Sequence, residues 1–136
     1  MAIFIDTNIF VAFYNEADEN HSKAKKIITD IAEGKYGKAL TSDYVFDEAV
    51  TVILARTKDL AKAVDMGEYI MHAVPIATVT KALLQYAWDI FRNENAQKMS
   101  FTDCTNRAFV QRLGIKKIAT LDGAFRKAEG IEVIDG

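Results

Sequence analysis

The chain has one cysteine, one proline and one tryptophan in 136 residues, and its two histidines are far apart. Cys104 alone permits no internal disulfide and no cysteine-built zinc site, so nothing demands an oxidising compartment. His21 and His72 have no metal-ligand spacing and read as incidental. No apolar run is long enough to cross a bilayer; "AVTVILA" is among the longest. The N-terminus lacks a basic region and meets an aspartate at position 6, unlike a secretory signal, so a cytoplasmic location is expected. Strong charge is missing too. A formal charge of −2 gives no chain-wide attraction to nucleic acid, so any such partner must be met by local cations. Internal repeats, low-complexity tracts and charged tails are also absent.

What is present is the composition of a globular protein, 50% apolar and 26% charged, at a length expected to form a single domain over residues 1–136. "AIFI" is a short unbroken apolar run suited to a strand covered on both faces. Helices are predicted over residues 8–14 and 22–34, the second from Ala24, Ile27, Ile28 and Ile31 at i, i+3, i+4, i+7 spacing. "KALTS" is a second strand; Asp43 then caps a helix over 44–56 that buries Val45, Ala49, Val52 and Ile53, and another helix follows over 60–71. "VPIATV" is a third strand, with the proline near its start. A helix over 81–94 turns Leu83, Leu84, Ala87, Ile90 and Phe91 inward, and Trp88 and the Phe-rich stretches read as core. A helix over 100–114, a strand over 116–122, a helical turn over 123–130 and a strand over 131–135 complete the chain. Such alternation calls for an α/β fold, a three-layer sandwich on a mainly parallel five-stranded sheet.

Four acids stand out within that pattern. Asp6 and Asp122 follow the first and fourth strands, at the sheet edge where open α/β folds place their sites. Asp103 opens the helix of "SFTDC", and Ser100 three residues earlier makes a capping box. Glu48 lies at the margin of the inward face of its helix, whereas neighbouring Asp47 points to water. Each alone reads more readily as a cap, turn or surface acid. Jointly they form a carboxylate-rich pocket if the elements pack as the alternation requires. Like charges so close raise one another's pKa unless a cation neutralises them, and oxygen-only ligands favour Mg²⁺ or Mn²⁺ over Zn²⁺.

From "IFIDTNIF" through "SDYVFDEAV" and "SFTDC" to "KIATLDGAF", nearly the whole chain resembles the PIN-domain family, particularly the VapC-type toxin ribonucleases of toxin–antitoxin pairs. The resemblance implies an acidic quartet at Asp6, Glu48, Asp103 and Asp122, with Thr7, Asn8, Thr102 and Thr120 orienting the carboxylates. It implies Mg²⁺- or Mn²⁺-dependent hydrolysis of RNA leaving a 5′-phosphate, with Asp6 and Asp103 as leading ligands. Glu48 and Asp122 would bind a second ion or act through water as general base. A cognate VapB-type antitoxin and a homodimer are implied as well. Many relatives carry a further acid where this chain has Ala124, which bears on the second ion.

Arg56 and Arg107 are candidates to guide an RNA backbone, with surface or ion-pair roles as the plainer reading. "AVDMGEYIMHAV" is a candidate interface, or ordinary core. Competing readings fit less well. A haloacid-dehalogenase-type phosphatase needs a second aspartate where Asn8 stands, and a receiver-type signalling domain needs one after the third strand, where "VPIATVTK" has none. A PIN-like scaffold without activity is disfavoured by the complete quartet.

Overall fold

A computed structural model of the protein describes residues 1–127 and 130–136. Its elements run β1 (Ala2–Ile5), α1 (Thr7–Tyr14), α2 (His21–Ala32), β2 (Lys38–Ser42), α3 (Asp43–Thr57), α4 (Leu60–Ala73), β3 (Ile76–Ala77), α5 (Lys81–Asn93), α6 (Phe101–Arg112), β4 (Lys117–Ala119), a 3-10 turn (Gly123–Lys127) and β5 (Glu132–Ile134). All strand pairs are parallel and the order is β3-β2-β1-β4-β5. The expected α/β sandwich is therefore present. Of the helical turn expected over 123–130, residues 128 and 129 lie outside the described residues.

The order follows from burial. β1 is the central strand, flanked by β2 and β4, and Ile3, Phe4 and Ile5 are completely buried, as an unbroken apolar run requires. The chain steps outward from β1 to β3 and then jumps back across to β4. Right-handed crossovers put α1–α4 on one face of the sheet and α5–α6 on the other. Phe4 stacks on Phe109 of α6 with centroids 5.6 Å apart, joining the sheet to the second layer. His21 is not incidental: its Nδ1 lies 2.9 Å from the Ala12 carbonyl and ties the start of α2 to α1. At Gly37 the backbone has φ +86°, and an added Cβ would stand 2.5 Å from the Met1 carbonyl oxygen, so glycine is required where the chain passes β1.

Several expectations are corrected. The cap of α3 is Ser42, whose hydroxyl accepts from the Val45 amide, and Asp43 is the first helical residue. Asp43 instead accepts from the Val79 amide at 3.0 Å and anchors the segment after β3. The third strand is only two residues long because it is an edge with one neighbour, and the fourth and fifth shorten to three residues each.

The largest correction concerns α5. Ala87 and Ile90 are buried, but Leu84, Trp88 and Phe91 are 39%, 44% and 37% exposed. Ala87 packs in a small cluster with Cys104 and Ala108 of α6, and these small side chains let the two helices approach so closely that large rings are left outside.

Candidate active site

The inner wall of the site is built from β1 and β4. The Asp6 amide donates to the Ala119 carbonyl at 3.0 Å, which continues the strand pairing and holds both strand ends together. Asp6 then leaves the sheet as the N-cap of α1, its Oδ1 accepting from the Thr7 amide at 2.7 Å. Capping and facing the cleft coincide in this residue. Its Oδ2 accepts from the Thr120 hydroxyl at 2.7 Å and more weakly from Asn8 Nδ2 at 3.4 Å, while Asn106 Nδ2 donates to Oδ1 at 2.9 Å. Asn8 also donates to Thr120 Oγ1 and accepts from the Leu121 amide. This network fixes Asp6 by strand, helix and loop at once.

Asp103 enters from the first turn of α6, where Ser100 Oγ accepts from its amide at 3.1 Å, so the capping expectation holds. Glu48 projects from α3 at half burial, and Asp47 beside it is exposed, as the helical geometry predicts. Asp122 sits in the loop after β4. Its Oδ1 accepts from the Ala124 amide at 2.9 Å in an Asx turn, and its own amide donates to Thr120 Oγ1. All four acids line one cleft of about 270 Å³, together with Thr7, Asn8, Arg56 and Ser100.

Not every expected helper reaches it. Thr102 does not line the cleft, and its carbonyl accepts from Thr105 Oγ1. Arg56 lines the cleft with a largely exposed side chain, 4.0 Å from Asp18. Arg107 lies outside, in a separate cavity with Ala124 and Phe125, where its Nε is buried without a hydrogen-bond partner among the described residues. One contributor was missed. Asn106 is fully buried and holds Asp6, and the available signal was an amide one helical turn after Asp103.

The electrostatics match a site short of positive charge. Burial, with the charges of Asp103 and Glu48, pushes the Asp6 carboxyl up to about 7, even though Thr120 and Thr7 pull the other way. Burial, with the charges of Asp122 and Glu48, raises Asp103 to about 6 against hydrogen bonds from Ser100.

Residues 3–131 match the family described as the PIN domain. The chain belongs to the PIN-domain family. This PIN domain is similar to the 23S rRNA-specific endonuclease VapC20 of Mycobacterium tuberculosis, with 28% identity over 131 residues covering 96% of this chain and 97% of that one. It is 27% identical over 124 residues to the VapC ribonuclease of Archaeoglobus fulgidus, covering 88% and 76%. The crystal structure of Mycobacterium tuberculosis VapC20, a Sarcin-Ricin loop cleaving toxin, aligns with TM-score 0.85 and 29% identity over 97% of this chain and 98% of that one. VapBC2 from Rickettsia felis, solved bound to a DNA fragment from their promoter, shares the fold at TM-score 0.72 and 15% identity over 98% and 97%.

PIN-domain nucleases of this kind depend on a divalent metal. The donors of this PIN domain fit one in chemistry: four carboxylates, no histidine or thiolate, and two acids whose pKa values are raised by burial and neighbouring acids. Among the described residues no three acids are drawn into a closed metal-binding group. The cleft thus supplies oxygen ligands facing a common space without closing them around an ion.

Proposed function

We propose that this PIN domain is an endoribonuclease that hydrolyses RNA phosphodiester bonds with Mg²⁺ or Mn²⁺, and that it is the toxin of a type II toxin–antitoxin pair. The supporting observation is the shared cleft of Asp6, Glu48, Asp103 and Asp122, contributed by four separated stretches of the chain. Similarity along nearly the full length to a named rRNA endonuclease gives the substrate class. Asp6 and Asp103 would hold the cation, with Glu48 and Asp122 completing its surroundings. When bound, the ion supplies an acidified water and neutralises charge at the scissile phosphate. The chain's own part is orientation. Asn106, Thr120 and the Thr7 amide hold Asp6 ready, a carboxylate oxygen of Glu48 or Asp122 takes the proton of the attacking water, and Arg56 steers the RNA backbone past the acids.

The proposal extends to one domain acting in the cytoplasm as a homodimer restrained by a VapB-type antitoxin. Among the described residues no helix is long and apolar enough to cross a membrane. The candidate interface in α4 is partly open: Val64 is 50% and Met71 57% exposed, and they line an apolar groove of about 350 Å³ with Leu54 of α3. That groove is the candidate seat for the antitoxin.

The test is RNA cleavage by purified protein in Mg²⁺, Mn²⁺ or chelator, beside Asp6→Asn and Asp103→Asn. Cleavage is expected only in the metal-supplied parent chain, with folding intact throughout by circular dichroism. Equal cleavage in every sample would refute the reading.

A further inference from the structure

Arg56 is the one cation among the described residues that line the acidic cleft, and it makes no ion pair with the acids there. Glu48, Val52 and Arg56 follow one another at four-residue intervals, so a single stripe of α3 runs from the carboxylates to the lip. The charges acting on Asp6 and Asp103 are nevertheless those of other acids. The guanidinium lies instead 4.0 Å from Oδ2 of Asp18, in the loop between α1 and α2. The two partners differ in freedom. Asp18 has a largely buried side chain whose Oδ1 accepts from the Asn20 amide at 2.8 Å; its own amide donates to the Asn15 carbonyl, and its carbonyl accepts from the His21 amide. His21 is in turn tied to Ala12 of α1, which braces the loop that carries Asp18. Arg56 keeps a largely exposed side chain. Asp59, the acid nearest to Arg56 in sequence, is engaged as the cap of α4.

We propose that Asp18 is a positioning residue whose carboxylate holds the Arg56 guanidinium at the lip of the cleft, within reach of an RNA phosphate and off the acids that take the metal ion. This rests on the ribonuclease reading above and gives it a working residue outside the cleft lining. A long, flexible cation beside four carboxylates is drawn inward unless another anion competes for it, because opposite charges attract more strongly where water is partly excluded. Folded inward, Arg56 would stand where a divalent cation belongs and leave the lip bare. Asp18 supplies the competing anion from a fixed point. The looseness of the pair suits this task. At 4.0 Å a partly exposed pair holds the guanidinium weakly, and a phosphate that offers two oxygens to its planar fork displaces it. Arg56 thus passes from Asp18 to RNA without having to be released from the metal ligands.

Charge can be separated from architecture, because Asp18→Asn keeps an oxygen for the Asn20 amide and removes only the negative charge. Mn²⁺ binding is measured by electron paramagnetic resonance, without RNA, on the parent chain, Asp18→Asn, Arg56→Gln and the double variant. Circular dichroism checks folding, and Asp18→Ser, which also keeps a turn oxygen, replaces Asp18→Asn if that variant does not fold. Asp18→Asn should weaken Mn²⁺ binding about fivefold at low ionic strength and less in high salt, whereas Arg56→Gln and the double variant should bind Mn²⁺ at least as well as the parent. With RNA at saturating Mn²⁺, Asp18→Asn should raise KM about threefold to fivefold at unchanged kcat, and should add nothing to the KM of the Arg56→Gln chain. Parental Mn²⁺ affinity and KM in Asp18→Asn overturn the proposal. A loss of Mn²⁺ affinity that persists in the double variant also overturns it, since Asp18 would then act through its loop and not through Arg56. Mn²⁺ bound by a parent chain that cleaves no RNA removes the ribonuclease reading, while the Mn²⁺ comparison still decides the role of Asp18. Absence of Mn²⁺ binding by the parent chain removes both.

Discussion

Asp6 and Asp103 face the same cleft but are held in different ways. Asp6 is 2% exposed and its carboxylate accepts from one backbone amide and three side chains drawn from α1, α6 and the end of β4. Asp103 is half-buried at a helix start and is tied locally to Ser100. The first is a fixed post and the second an adjustable arm. Preorganisation is concentrated where the sheet can enforce it, and freedom is left where a ligand must be met.

Substituting the two acids separates these roles most sharply. On the proposed mechanism, Asp6→Asn is expected to cut kcat for RNA cleavage about a thousandfold or more, and Asp103→Asn comparably, since both would remove a carboxylate that holds the cation. Their stabilities should diverge. Removing the deeply buried charge of Asp6 should raise unfolding stability at neutral pH by about 1 to 3 kcal/mol, and Asp103→Asn by less, because Asp103 is better hydrated. Urea unfolding beside cleavage rates checks this, and equal stability gains would erase the distinction.

A smaller effect is expected from the donors around the fixed post. Asn106→Ala and Thr120→Val should each lower activity about 10- to 100-fold by releasing Asp6, while Thr102→Val, outside the cleft, should stay within about twofold. Parity between Thr102→Val and Thr120→Val would show that orientation of Asp6 does not matter.

The raised pKa of Asp6 gives a pH signature. Its carboxyl titrates near 3.8 unfolded and about 7 folded, so between those values the folded state keeps a proton that the unfolded state has released. Without divalent metal, stability should therefore fall as pH rises through that window and level off above it. Asp6→Asn lacks this component, so its stability advantage should grow from pH 4 to pH 7; an advantage independent of pH would contradict the assignment. The smallest expected effect is at the adjustable arm. Ser100→Ala removes a helix cap and should cost about 1 kcal/mol of stability, measured by thermal unfolding.

Much of the sheet and the outline of the site could be read from local pattern. β1 is legible because a fully buried strand must be apolar throughout; Asp6 alone reads as the cap that it is, and only its company with three other acids marked it for the site. Glu48 was separable from Asp47 by helical angle alone. The inward face of α5 was not, because Leu84 and Phe91 lie at its margin and the decision belongs to the size of side chains on α6. Asn106 was hidden for a related reason. Most of α6 from Cys104 to Val110 is buried, so polarity there no longer marks the outside. Ser42 displaced Asp43 as a cap because both are good caps, and the pairing of Asp43 with Val79 is a long-range contact that periodicity does not register.

The central place of β1 also bears on how the molecule is made. The acid that follows it, Asp6, is synthesised 100 and 114 residues ahead of the amide of Asn106 and the hydroxyl of Thr120, which orient it. A nascent chain that has not reached Asp103 and Thr120 holds neither the second buried-side acid of the cleft nor the hydroxyl that steadies Asp6. A growing polypeptide therefore cannot assemble the four-acid cleft until both sides of β4 have been made.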